Sequence, residues 1–162
     1  MSSPHELTVH VDRASLGFAA AHFGILGEGR ERLHGHNYTV ALRARGPISE
    51  RGTVVDFSAL KAAVRAECAE LDHGMLLPTR CPEIAVARTA DGHVEVHYGA
   101  DRFVFPAGDV RLLEVRNTTC ECLAEHLLMR LRRRLGELAV GLEVTVEESP
   151  GQGATISERG GD

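Results

Sequence analysis

The chain has 162 residues, 43% of them hydrophobic and 25% charged, with a formal net charge of -5. That size and balance suit one domain, residues 1–162, with a core of ordinary volume. The acidic sign and the lack of a basic stripe interleaved with aromatics argue against nucleic acid as a partner, and no run approaches the roughly 20 apolar residues a bilayer span needs.

The N-terminal "MSSPHELTVHVDR" lacks the basic-then-apolar order of a signal peptide, so the cytoplasm is the expected compartment. Cys68, Cys81, Cys120 and Cys122 are expected there as free thiols. Cys120 and Cys122 form C-x-C rather than C-x-x-C, which speaks against a zinc knuckle or a thioredoxin-type motif.

In chain order, "ELTVHV" (Glu6 to Val11) alternates apolar and polar residues and reads as a strand running on towards His22. "LHGHNYTVALRARG" is a second strand, closed by the turn signal Gly46-Pro47. In "VVDFSALKAAVRAECAELDHG" the period becomes helical through Phe57, Leu60, Val64 and Leu71, with Asp56 as the cap and Gly74 as the stop. An inserted segment follows, about residues 78–115, holding a hairpin that turns at Tyr98-Gly99-Ala100-Asp101. "NTTCECLAEHLLMRLRRRLG" is a second amphipathic helix, with Thr118 and Glu121 spaced as a capping box. Its arginine run reads as cations complementing the helix dipole before Gly136. "LEVTVEESPGQGATIS" is a last hairpin, and "ERGGD" a tail. The sum is an α+β fold, a four-stranded antiparallel sheet with two helices on one face and an inserted hairpin. Exposed edges in such a small sheet favour closure against neighbouring subunits.

Three constellations carry chemistry. On a strand, His34 and His36 point to the same face, and His22 would complete a set of three nitrogens. Three protein ligands with a fourth position open is the arrangement of catalytic zinc, although H-x-H by itself also fits surface histidines. Asp72-His73, at the end of the first helix, reads either as a proton relay or as a C-cap with a cation near the dipole's negative end. Glu148 ends the apolar stripe Leu142, Val144, Val146, so its carboxylate either faces solvent or meets a ligand presenting paired N–H groups.

In combination, "FAAAH", "LHGHNYTV", "VVDFSALK", "LDH", "NTTCECLAEHL" and "VTVEES" resemble the 6-pyruvoyl-tetrahydropterin synthase and 6-carboxytetrahydropterin synthase family, over about Leu7 to Ile156. The resemblance implies the tunnelling fold, in which trimers close a barrel and two trimers stack into a hexamer. It implies Zn2+ on His22, His34 and His36, a pterin anchored by Glu148, and Asp72 and His73 in a catalytic relay. It further implies active sites between subunits and a substrate such as 7,8-dihydroneopterin triphosphate. The pyruvoyl and carboxy branches carry a cysteine four residues before the first histidine of H-G-H; here that position is Arg30, and Glu31 stands one residue later. This resembles the type III variant, in which glutamate replaces the cysteine. The main expectation is therefore a zinc-dependent lyase in which Glu31 is the base, cutting the side chain between C1′ and C2′ to give 6-hydroxymethyl-7,8-dihydropterin. The alternatives are 6-carboxy-5,6,7,8-tetrahydropterin synthase of a deazapurine pathway, with Cys120 or Cys122 entering the site, 6-pyruvoyl-tetrahydropterin synthase, and a catalytically silent pterin-binding protein.

Overall fold

A computed structural model of the chain describes residues 5–158. Two long strands, β1 (Glu6–His22) and β4 (His34–Pro47), pair antiparallel from Glu6 opposite Pro47 to His22 opposite His34. Between Asp12 and Gly17 the register shifts, because five residues of β1 pass while β4 advances only from Ala41 to Thr39. An odd number of extra residues reverses which side chains face the core. Val11 is buried before the bulge, and Leu16, Phe18, Ala20 and His22 are buried after it. Continued alternation from "ELTVHV" would have turned His22 to the opposite face.

Two two-residue strands, β2 (Ile25–Leu26) and β3 (Gly29–Arg30), form a small hairpin between β1 and β4. Helix α1 (Phe57–Leu71) starts at Asp56, whose carboxylate accepts from the Ser58 amide at 2.8 Å. The expected glycine stop is displaced by one residue. Asp72 is the C-cap and His73 takes the left-handed conformation (φ 53°), while Gly74 already opens β5 (Gly74–Pro78).

The chain then builds β6 (Ala85–Arg88), β7 (His93–Tyr98) and β8 (Asp101–Pro106), and after a short 3-10 turn β9 (Val110–Leu113). Helix α2 (Cys120–Leu135) and the hairpin of β10 (Gly141–Ser149) and β11 (Gln152–Ser157) complete it. The sheet corrects the four-stranded antiparallel expectation. It has six strands in the order β11-β10-β4-β1-β5-β9, and β5 and β9 run parallel to their neighbours. Strand β5 is buried at all five positions, so it carries no alternation by which its sequence could announce a strand. The insertion is likewise a three-stranded sheet, β6-β7-β8, rather than a two-stranded hairpin.

Both helices pack on one face of the β10-β4-β1 region: Leu60, Val64 and Leu71 of α1 and Leu123, Leu127 and Leu131 of α2 share a core with Tyr38, Val40, Leu42, Val144 and Val146. A second cluster joins Phe23, Met75 and Leu77 to Val94 and Val96 of the inserted sheet. The arginine run does more than complement a dipole. Arg130 and Arg134 each donate at 2.7 Å to Glu67 of α1, which is only 3% exposed, and Arg132 binds Glu158 beyond β11. Residues 159–162 of the expected tail lie outside the described residues. No helix among the described residues is long and apolar enough to cross a membrane.

Candidate metal centre

The bulge in β1 and the unbroken alternation of β4 bring His22, His34 and His36 to one face, just beyond the stacked pair Phe18–Tyr38. Their ligand atoms all lie within 4.8 Å of one another, and the ring centroids are 4.6 to 5.3 Å apart. His22 is 2% exposed; the other two are half-buried.

Two of the three tautomers follow from hydrogen bonding. His22 Nδ1 lies 3.0 Å from the carbonyl oxygen of Thr118 and 3.1 Å from its hydroxyl. His34 Nδ1 lies 2.6 Å from the carbonyl of Arg32. A carbonyl only accepts, so each Nδ1 carries the proton and each Nε2 keeps a lone pair. His22 Nε2 is buried without a hydrogen-bond partner. Burial above all, then the neighbouring His34 and His36, lowers the pKa of His22 and keeps it neutral, against the opposing pull of Glu31. A buried lone pair with no donor is costly unless something fills it. Three imidazoles converging on that point fit a divalent transition metal such as zinc, with a coordination position to spare.

Glu31 lies at the rim of this cluster. Its amide donates to the Gly24 carbonyl at 2.8 Å, and its Oε2 accepts from the Gly24 amide at 2.9 Å. A Cβ on Gly24 would fall 2.6 Å from that oxygen, so glycine is what lets the carboxylate sit there. Glu148, at the end of β10, brings Oε2 to 3.8 Å from His36 Nε2 within the same chain. The Cys120 thiol donates to the same carboxylate at 3.7 Å. Burial, and then the Glu148 charge, push the Cys120 thiol up to about 11. Cys120 therefore contacts the Glu148 carboxylate through a thiol that burial and the neighbouring charge hold in its protonated form. The buried hydroxyl of Tyr38 has no hydrogen-bond partner, and burial raises its pKa.

Asp72 and His73 stand elsewhere. Asp72 Oδ1 accepts from the Ala19 amide at 2.8 Å, and Oδ2 is 2.8 Å from His73 Nδ1. These contacts, the Ala19 N–H first, hold the Asp72 carboxyl below its usual range. His73 lines a cavity of about 540 Å³ with Ala19, Ala21, Gly35 and Asn37, which by alternation face away from the histidine cluster, although Ala20 and His36 also border it. The dyad is formed, and within one chain it opens on the other side of the sheet.

Several residues of the site had no signal in the sequence. Thr118 read as half of a capping box; instead Thr119 is the N-cap of α2, without a side-chain cap bond, and Thr118 is fully buried against His22. Asn117 opened the stretch read as the second helix, yet it precedes α2 and its amide group bonds both backbone groups of Ile25, holding β2 in place. Gly24 and Arg30 are defined only by what the chain folds against.

Known proteins resemble this chain in sequence and in fold. The family model described as 6-pyruvoyl tetrahydropterin synthase matches residues 13–159. A relative from Methanocaldococcus jannaschii, provisionally named a 6-carboxy-5,6,7,8-tetrahydropterin synthase, is 32% identical over 146 residues, 87% of this chain and 89% of its own. The crystal structure of 6-pyruvoyl tetrahydropterin synthase from Plasmodium vivax superposes with a TM-score of 0.91 at 31% identity, covering 96% of this chain and 99% of that one. Structures of the same P. vivax protein exist for variants in which a catalytic residue, a glutamate, is replaced by alanine or by cysteine.

Proposed function

This chain belongs to the 6-pyruvoyl tetrahydropterin synthase family, and on that premise we propose that it is a zinc-dependent lyase acting on the side chain of a 7,8-dihydropterin such as 7,8-dihydroneopterin triphosphate. The observation that carries this reading is the buried, unpartnered Nε2 of His22 facing His34 and His36, with two carboxylates beside them. His22, His34 and His36 would hold the zinc, which as a Lewis acid would acidify side-chain hydroxyls of the substrate.

The chain's own groups do the remaining work. Glu148 accepts the paired N–H groups of the pterin edge, and its placement beside His36 sets the side chain of the substrate over the metal centre. Glu31, seated on the Gly24 amide, takes the hydroxyl proton. Asp72 and His73 return a proton to a neighbouring copy's site in a hexamer of two trimers, a role suited to their place on the opposite side of the sheet. The open edges β11 and β9 are where such trimers would close their barrel.

The comparisons sit closer to the synthase alternatives than to the 6-hydroxymethyl product expected from the sequence. The curated relatives bear the 6-carboxy name, and P. vivax proteins with a catalytic glutamate bear the 6-pyruvoyl name. A 6-carboxy- or 6-pyruvoyl-tetrahydropterin is therefore the first product to look for. Glu31 favours the 6-hydroxymethyl product as a second reading, because a carboxylate base suffices for retro-aldol cleavage without a thiolate. The test is mass analysis of pterins formed from 7,8-dihydroneopterin triphosphate by zinc-loaded protein and by Glu31→Gln. Bound pterin with no product would sink the lyase reading in favour of a silent binder; full turnover by Glu31→Gln would remove Glu31 from the chemistry.

A further inference from the structure

Arg30 occupies the position where other branches of the resemblance carry a cysteine, and the structure puts it to a different use. Its Nη1 donates to the Glu31 carbonyl at 2.9 Å. Its Nε and Nη2 grip Asp101 Oδ2 on β8, at 2.8 and 2.6 Å. The guanidinium plane lies over Phe103, also on β8, 4.8 Å from the ring centroid, and 5.8 Å from that of Phe23. Phe23 and Phe103 stack on each other at 5.1 Å, and Phe23 is fully buried in the core of the inserted sheet. Phe23 immediately precedes Gly24, which holds the Glu31 carboxylate on its amide.

We propose that the inserted sheet is a positioning element for Glu31, with Arg30 as the residue that transmits it. This rests on Glu31 being the base. The β2–β3 hairpin is too short to hold a carboxylate still by itself, having two residues per strand. It is fastened on one side by Asn117 and on the other by β8 through Arg30. The arginine's charge is neutralised by Asp101 and its plane by the aromatic pair, so the side chain is locked before it reaches Glu31. Its own side chain is only 20% exposed. Lysine could neither stack nor bond in this forked manner, which makes Arg30→Lys an unfavourable exchange here.

The experiment uses the full chain and compares Arg30→Met, Asp101→Asn, Glu31→Gln and the double variant Arg30→Met/Glu31→Gln. Amide hydrogen exchange reads the position of the hairpin directly. In Arg30→Met and Asp101→Asn, the Gly24 and Glu31 amides are expected to exchange about tenfold faster, with the amides of the β1–β4 ladder unchanged. Turnover of 7,8-dihydroneopterin triphosphate is expected to fall about tenfold in kcat for Arg30→Met at unchanged zinc content, and to fall no further when Arg30→Met is added to Glu31→Gln. Wild-type exchange at Gly24 and Glu31 in both variants would overturn the proposal, and so would full kcat in Arg30→Met while Glu31→Gln is inactive. Equal losses added in the double variant would mean that Arg30 acts on something other than Glu31, which also overturns it. Full turnover by Glu31→Gln would instead show that the base assignment itself had failed.

Discussion

Thr118→Val tests whether His22 is a prepared metal ligand or a buried histidine that happens to sit beside two others. The hydroxyl lies 3.1 Å from His22 Nδ1, and the carbonyl of the same residue lies 3.0 Å from it. Valine nearly preserves shape but removes one of the two acceptors that orient the ring. It also takes the weak 3.4 Å donor from the Phe23 carbonyl. Removing a partner behind a metal-bound histidine commonly costs 10- to 100-fold in metal affinity. The carbonyl survives here, so the lower end applies: about tenfold, or about 1.4 kcal/mol. Stability of the metal-free protein should fall by about 1 kcal/mol, the usual contribution of one hydrogen bond. The assay is competition for Zn2+ against a chromophoric chelator at fixed pH, run beside urea unfolding of the stripped protein. If stability falls while zinc affinity stays within twofold of wild type, Thr118 serves the core alone. The Thr118 hydroxyl would then have no part in preparing His22 for a metal.

Two further predictions concern the frame. Glu67→Gln should cost about 2 kcal/mol at neutral pH, since Glu67 is buried and bonds two arginines that remain partly hydrated. Burial alone would raise the Glu67 carboxyl, but the hydrogen bonds from Arg130 and Arg134 outweigh it and leave the folded pKa below its ordinary value of 4.5. Its contribution is thus complete above pH 4.5 and is lost as pH falls through the depressed value, so the gap between wild type and Glu67→Gln should close on acidification. Urea unfolding of both proteins across that range checks the sign; a gap that widens in acid refutes it. Gly17→Ala should lower the melting temperature by 5 °C or so, a loss on the order of 2 kcal/mol. A Cβ there falls 2.1 Å from the Tyr38 carbonyl oxygen, which is backbone and cannot swing aside. An unchanged melting curve by circular dichroism would show that the ladder yields more easily than the register implies.

Much of the molecule was legible before any folding was considered. The H-x-H of β4 states its own geometry, because strand alternation puts His34 and His36 on one face whatever surrounds them. The same holds for the stripe ending in Glu148, for the Asp56 cap, and for the Gly99 turn. The parallel strand β5 was not legible, since a strand buried on both faces has no period to betray it, and β9 is a four-residue strand at the sheet edge, too short to show one.

What the amino-acid order determined by itself is therefore local: the periods of the strands and helices, their caps and turns, and which ligand types stand two residues apart. Tertiary structure decided the rest, and the site depends on it. The β1 bulge decides that His22 faces the core, because three extra residues reverse the parity that "ELTVHV" sets up. The path of the chain into α2 turns Thr118 from a helix cap into the acceptor that orients His22. Docking of the inserted sheet gives Arg30 its aspartate and its aromatic plane from residues more than seventy positions away. Such contacts join residues distant in sequence, and no local pattern encodes which of them will meet.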